Sequence, residues 1–148
     1  MKKILTPANM IALSWFIALG AVLGSLYYSS IELYIPCELC WLQRICMYPQ
    51  VLLLGIALWR SDWHVYRYSL PLLGIGWLIA LYHTYLYYSI NFWHPVSTVT
   101  PCDITGVSCT TRYVEYFGFV SIPLLSLLAF SIMIICLLAV RNLVRKAR

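Results

Sequence analysis

Apolar and polar positions in this chain alternate by blocks rather than by residues. Four apolar runs, approximately 8–29, 41–59, 70–90 and 116–140, are separated by more polar stretches. Each is close to the roughly 20 residues an α-helix needs to cross a bilayer, so the pattern predicts four transmembrane helices. The first run follows Lys2 and Lys3 as a signal peptide would. It is longer than a usual apolar signal core and lacks an A-x-A-like exit, so it is read as a helix. Two outer loops remain, a short one over about 30–40 and a longer one over about 91–115, where Pro95, Pro101 and Gly106 favour turns. No internal repeat or low-complexity tract divides the chain, which reads as one integral-membrane domain, 1–148.

Composition narrows the solvent. Of 148 residues, 62% are hydrophobic and 10% are charged, a balance that a soluble domain of this size has no core large enough to hide. The fold class expected is an all-α membrane protein, a four-transmembrane-helix bundle. Charge then orients it, because short cytoplasmic loops collect Lys and Arg. With the N-terminus inside, the inner side holds Lys2, Lys3, Arg60, Arg67, Arg141, Arg145, Lys146 and Arg148 against Asp62 alone. The outer side holds Glu32, Glu38, Asp103 and Glu115 with Arg112. Both termini are therefore expected in the cytoplasm, and the net charge of +5 is accounted for by topology, with no nucleic-acid partner required.

Aromatic residues agree with these boundaries, since Tyr and Trp favour the interfacial zone. Tyr27, Tyr28, Trp41, Tyr87, Tyr88, Trp93 and Tyr116 mark the outer edge, and Trp59, Trp63, Tyr66 and Tyr68 the inner one. Gly20 and Gly24, one turn apart, would let another helix approach closely. Pro123 is expected inside the fourth span, where neighbouring helices can satisfy the backbone group it frees.

The candidate chemistry lies in the cysteines. Of six, Cys37, Cys40, Cys102 and Cys109 face outward, while Cys46 and Cys136 fall within spans and read as small buried hydrophobes. Disulfides persist outside the cytoplasm, and four cysteines allow three pairings. Spacing favours two local pairs, "CELC" and "CDITGVSC". A simple loop staple is an alternative reading of either pair. That reading is weaker for Cys37/Cys40, because so short a bridge removes little chain entropy. If the second helix begins near Cys37, a step of about 100° per residue puts Cys37, Cys40 and Arg44 on one face. A cation and a helix N-terminus both favour a thiolate, the reactive species in disulfide exchange. Arg44 at that depth must snorkel, find a partner or line a polar cavity. His83, in the third span, is a second candidate donor there, although a lone histidine in a span is commonly a satisfied core residue. His64 and His94 are loop histidines without ligand-like neighbours.

The stretch "IPCELCWLQR" followed by "MYP", with "YHTYL", "PCDITGVSC" and "YFGFVSIPLLSLLAF", resembles the disulfide bond formation protein B family of bacterial membrane thiol oxidoreductases, in its short Bacillus-type form. The likeness spans nearly the whole chain. It implies a multi-pass protein of the bacterial cell membrane with two extracytoplasmic redox loops. Such a protein reoxidises an extracytoplasmic thioredoxin-like thiol oxidase and passes the electrons to a membrane quinone, menaquinone or ubiquinone, without a metal. Carried onto this sequence, the resemblance implies that the partner's thiolate attacks Cys102 and frees Cys109. Cys109 then exchanges with Cys37, and Cys40 becomes the thiolate beside the quinone, with Arg44 and His83 near the ring. Larger relatives separate the second pair by a longer loop with its own short helix, whereas six residues lie between Cys102 and Cys109 here.

Two other chemistries are compatible with these residues. One is a quinone or quinone-epoxide reductase of the vitamin K type, whose active pair lies toward the chain's end, whereas here C-x-x-C opens the second helix. The other is a zinc-stapled membrane scaffold using Cys37, Cys40, Cys102 and Cys109 as ligands. Against that stand the wide spacing of the second pair and an oxidising outer face. A structural membrane protein without chemistry would tolerate serine at Cys40.

Overall fold

The computed structural model describes residues 6–33, 36–89, 115–116 and 120–146. Four long helices dominate: α1 (Pro7–Ser30), α2 (Glu38–Arg60), α3 (Tyr66–Tyr88) and α4 (Ile122–Lys146). All four are long and apolar enough to cross a membrane. Thr6 caps α1 by accepting from the Asn9 N–H at 3.3 Å, and Pro7 occupies the first turn, where its missing N–H has no helical partner to lose. α2 ends at Ser61, which adopts the left-handed conformation (φ 53°) that a helix stop commonly requires. The Asp62 N–H returns to the Ala57 carbonyl at 2.9 Å. Asp62 then orders the short turn into α3, accepting from the His64 N–H (2.9 Å) and the Tyr68 hydroxyl (2.7 Å). These two donors hold its carboxyl below the usual carboxylate range.

The helices pack as a ring in which α1 meets α2, α2 meets α3, α3 meets α4 and α4 returns to α1. Ile11, Leu54, Leu73, Phe130, Met133 and Leu137 fill its centre with no exposed surface. Phe16, Leu23, Ile45, Leu52, Ile56, Leu78 and Ile135 point outward, the distribution expected when lipid is the solvent. Polar ties cross the seams. The Trp15 indole donates to the Val51 carbonyl at 3.0 Å, joining α1 to α2, and the Trp77 indole donates to Ser131 Oγ at 2.9 Å, joining α3 to α4. Cys46 and Cys136 are buried in the bundle, as their sequence setting implies.

Three expectations are revised. The fourth span begins at Ile122, not near 116, because Glu115–Tyr116 (β1) pairs antiparallel with Val120–Ser121 (β2) immediately before it. Pro123 is thus the second residue of α4, where its N–H would have no intrahelical partner, and needs no rescue by neighbours. The close helix approach expected at Gly20 and Gly24 occurs instead at Gly76. Nothing lies within 4 Å of a Cβ built on either α1 glycine, whereas one on Gly76 would collide with the Phe130 ring and stand 3.0 Å from Cys46 Cβ.

Candidate active site

The outer end of α2 opens with Cys37 as its N-cap, in extended conformation (φ −68°, ψ 168°) and with no side-chain cap hydrogen bond. The Trp41 N–H donates to the Cys37 carbonyl at 3.1 Å, closing the first turn. The thiol of Cys37 is therefore not spent on capping. The turn brings its Sγ to 2.9 Å from Cys40 Sγ. Cys37 is buried and Cys40 half-buried, beside the outward-facing Trp41 and Leu42. The hydrogen bond with Cys40, followed by burial, pushes the Cys37 thiol up to about 12, while His83 opposes the shift. In the reduced pair the proton stays on Cys37.

α3 supplies the histidine. His83 is buried, and its Nε2 lies 3.9 Å from Cys37 Sγ. Its Nδ1 lies 3.2 Å from Gln43 Nε2, one turn along α2 from Cys40. With Gln43 Nε2 as the donor, Nδ1 accepts, and Nε2 is the ring nitrogen left to face the sulfur. The two sulfurs and the imidazole have ligand atoms mutually within 4.8 Å. That set can also take a thiophilic cation when both thiols are reduced.

Arg44 turns toward α1. Its Nε donates to Ser25 Oγ at 2.7 Å, its Nη2 donates to the Ser25 carbonyl at 2.9 Å, and its guanidinium lies 5.3 Å from the centre of the Trp41 ring. This answers how an arginine is accommodated near the bilayer edge: two acceptors and an aromatic face satisfy it. Among the described contacts, His83 meets the cysteine pair and Arg44 meets α1. Cys102 and Cys109 lie outside the described residues, as does His94. His64 pairs with Asp62, its Nδ1 3.9 Å from the carboxylate.

Sequence reasoning passed over two participants. Gln43 lies three residues after Cys40 and hence on its face of the helix, and an amide in so apolar a run was an available signal. Ser25 follows Gly24 in a small-residue stretch that reads as packing, and nothing local marks it as the seat of an arginine.

The sequence pattern of the family described as "Disulfide bond formation protein DsbB" matches residues 7–140. Disulfide bond formation protein C of Bacillus subtilis is 50% identical over 127 residues, covering 84% of this chain and 88% of that protein. A protein of Halalkalibacterium halodurans named "Probable disulfide formation protein C" is 46% identical, with 89% and 93% covered. One of Oceanobacillus iheyensis named "Probable disulfide formation protein" is 42% identical, with 99% and 100% covered. No solved structure matches the chain.

Proposed function

The chain belongs to the disulfide bond formation protein B family, multi-pass membrane oxidoreductases that generate disulfide bonds, and from that premise we propose that it moves electrons from an extracytoplasmic thioredoxin-like dithiol protein to a membrane quinone. The observation that carries this reading is the Cys37–Cys40 contact of 2.9 Å at the lipid boundary, faced by His83 Nε2 at 3.9 Å from Cys37. A soluble acceptor has poor access to a half-buried thiol beside Trp41 and Leu42, whereas a lipid-soluble one reaches it along the membrane.

In the exchange sequence, the partner's thiolate attacks Cys102 of a Cys102–Cys109 disulfide and displaces Cys109. The partner's second thiol resolves the mixed disulfide, and the partner leaves oxidised. Cys109 attacks Cys37 of the Cys37–Cys40 disulfide and displaces Cys40 as the thiolate. Cys102 then attacks Cys109, which re-forms Cys102–Cys109, releases Cys37 as a thiol and leaves the electron pair on reduced Cys37 and Cys40. Each exchange makes one S–S bond and breaks one, so the two electrons removed from the partner are carried inward without loss. A quinone supplies the acceptor for that electron pair and two protons. Arg44, positioned by Ser25, and His83, positioned by Gln43, are the residues that would hold it, through guanidinium and imidazole N–H groups suited to an oxygen gaining negative charge.

The test is quinone reduction by the purified, detergent-solubilised protein with a reduced thioredoxin-like donor. Turnover that disappears in Cys40→Ser, with folding retained, supports electron flow from dithiol to quinone. No turnover across several quinones and donors, from protein with both outer disulfides verified, would withdraw the reading. A stoichiometric zinc content without disulfides would replace it with the scaffold.

A further inference from the structure

At the opposite end of the bundle, the α2–α3 turn, the first turn of α3 and the last turns of α4 border an open cavity of about 360 Å³ lined by His64, Tyr66, Arg67, Arg141, Val144 and Arg145. The lining holds three guanidinium groups and an imidazole, and no carboxylate. The nearest described acid is Asp62, which accepts from Tyr68 and the His64 N–H and stands 3.9 Å from His64 Nδ1. The general bias of basic residues to one membrane side explains why arginines occur at this end. It does not explain why three of them, from two helices, converge on one cavity while Arg60 and Lys146 stay outside it.

Arg67 acts on the Asp62 carboxylate from the start of α3. It is the second residue of α3, where the helix dipole is positive and a cation is opposed, and no acidic residue occupies that first turn. Arg141 and Arg145 are one turn apart on α4 and add like-charge repulsion. An anion in the cavity relieves that repulsion and adds to the negative charge that Asp62 already brings near Arg67. The depth also fits a membrane-surface ligand, since Trp59, Trp63, Tyr66 and Tyr68 form the interfacial aromatic zone at this end. The volume falls within the roughly 300–1,000 Å³ of small-molecule sites, and Val144 and the Tyr66 ring give an apolar flank beside the charges.

We propose that this cavity binds a phosphate-group anion at the membrane surface, supplied by the headgroup of an acidic phospholipid or by free phosphate. The guanidinium groups contact the phosphate oxygens, as basic pockets between transmembrane helices do for anionic headgroups. The site is at the far end of the helices from Cys37 and Cys40, so its fate and that of the thiol–quinone reading are separable.

The experiment titrates the full-length protein in neutral detergent, at fixed ionic strength, with short-chain phosphatidylglycerol, short-chain phosphatidylcholine or inorganic phosphate, reading the thermal midpoint and deriving an apparent affinity. A saturable rise with phosphatidylglycerol and not with phosphatidylcholine is expected. An equal rise with inorganic phosphate identifies free phosphate as a sufficient ligand, and its absence identifies the lipid headgroup. Each arginine removed should weaken binding about fivefold, so R141Q/R145Q should lose roughly 25-fold while R60Q changes nothing. If the double variant does not fold, R67Q alone provides the fivefold test. Equal responses to both lipids with no response to phosphate, or undiminished affinity in the arginine variants, would overturn the proposal. Quinone reduction measured on the same samples reports separately on the active site.

Discussion

Gln43 and Arg44 are consecutive on α2 and so point about 100° apart, one reaching His83 on α3 and the other Ser25 on α1. Each is expected to act through the group it positions or presents. Gln43→Leu removes the donor that keeps hydrogen off Nδ1, so both neutral His83 tautomers become populated. Quinone reduction should fall roughly five- to tenfold, the value of one buried hydrogen bond, while ¹⁵N shifts of His83 show the tautomer change. An unchanged tautomer with the same rate loss would reduce Gln43 to a packing residue. Arg44→Met should depress quinone use far more than thiol exchange with the partner. Ser25→Ala should raise the quinone KM by a few-fold, since the Ser25 carbonyl still accepts from Nη2. Equal losses in both half-reactions would remove Arg44 from the quinone step. The reduced cysteine pair makes a pH prediction. Cys37 rises from 9.0 to about 12, so above pH 9 the unfolded chain gives up this proton while the folded protein keeps it. Stability of the reduced protein should therefore fall as pH climbs from 9 toward 12. The oxidised protein, with no thiol to titrate there, should not show this component in parallel thermal melts.

At the scale of elements, the closest packing passes through a glycine whose role the sequence hid. A Cβ on Gly76 would strike the Phe130 ring and crowd Cys46, so Gly76→Ala should cost about 1–3 kcal/mol through overpacking at the meeting of α2, α3 and α4. Gly20→Ala, with open space around it, should be near neutral or slightly stabilising through helix propensity. Thermal unfolding followed by circular dichroism distinguishes the two, and equal effects would contradict the packing described. The reading of the glycines failed for a physical reason. A four-residue glycine spacing reports that a helix can be approached, whereas which helix approaches depends on ring order and register, and these are tertiary. The same limit displaced the start of α4. "YFGFVS" is apolar enough to extend a membrane run, but Tyr116 and Val120 within it take part in a strand pairing that a hydropathy window cannot register.

At the scale of the whole molecule, the signals that survive are those averaged over many residues. Run length and composition sufficed for four spans, because lipid leaves the backbone no other way to satisfy itself. The C-x-x-C was legible because spacing within one turn is a local property. The Gln43–His83 and Arg44–Ser25 contacts join residues 40 and 19 positions apart in sequence, and only the ring of helices brings them together. The molecule's two ends consequently differ in kind: a thiol–imidazole site at the end where α2 begins, and arginines at the end where α2 stops and α4 finishes. The basic residues assign the second end to the cytoplasm, which puts the thiols where disulfides of exported proteins form. Orientation is therefore a premise of the function and can be tested directly. In a background with all native cysteines replaced, Glu32→Cys should react with a membrane-impermeant maleimide added to intact cells, and Ser61→Cys should react only after the membrane is opened. The two positions sit at opposite ends of α2, in the turns before and after it, so one labelling pattern reports both faces. The reverse pattern would place Cys37 and Cys40 in a reducing compartment, and the electron flow from exported thiols to quinone would then have no access to its substrate.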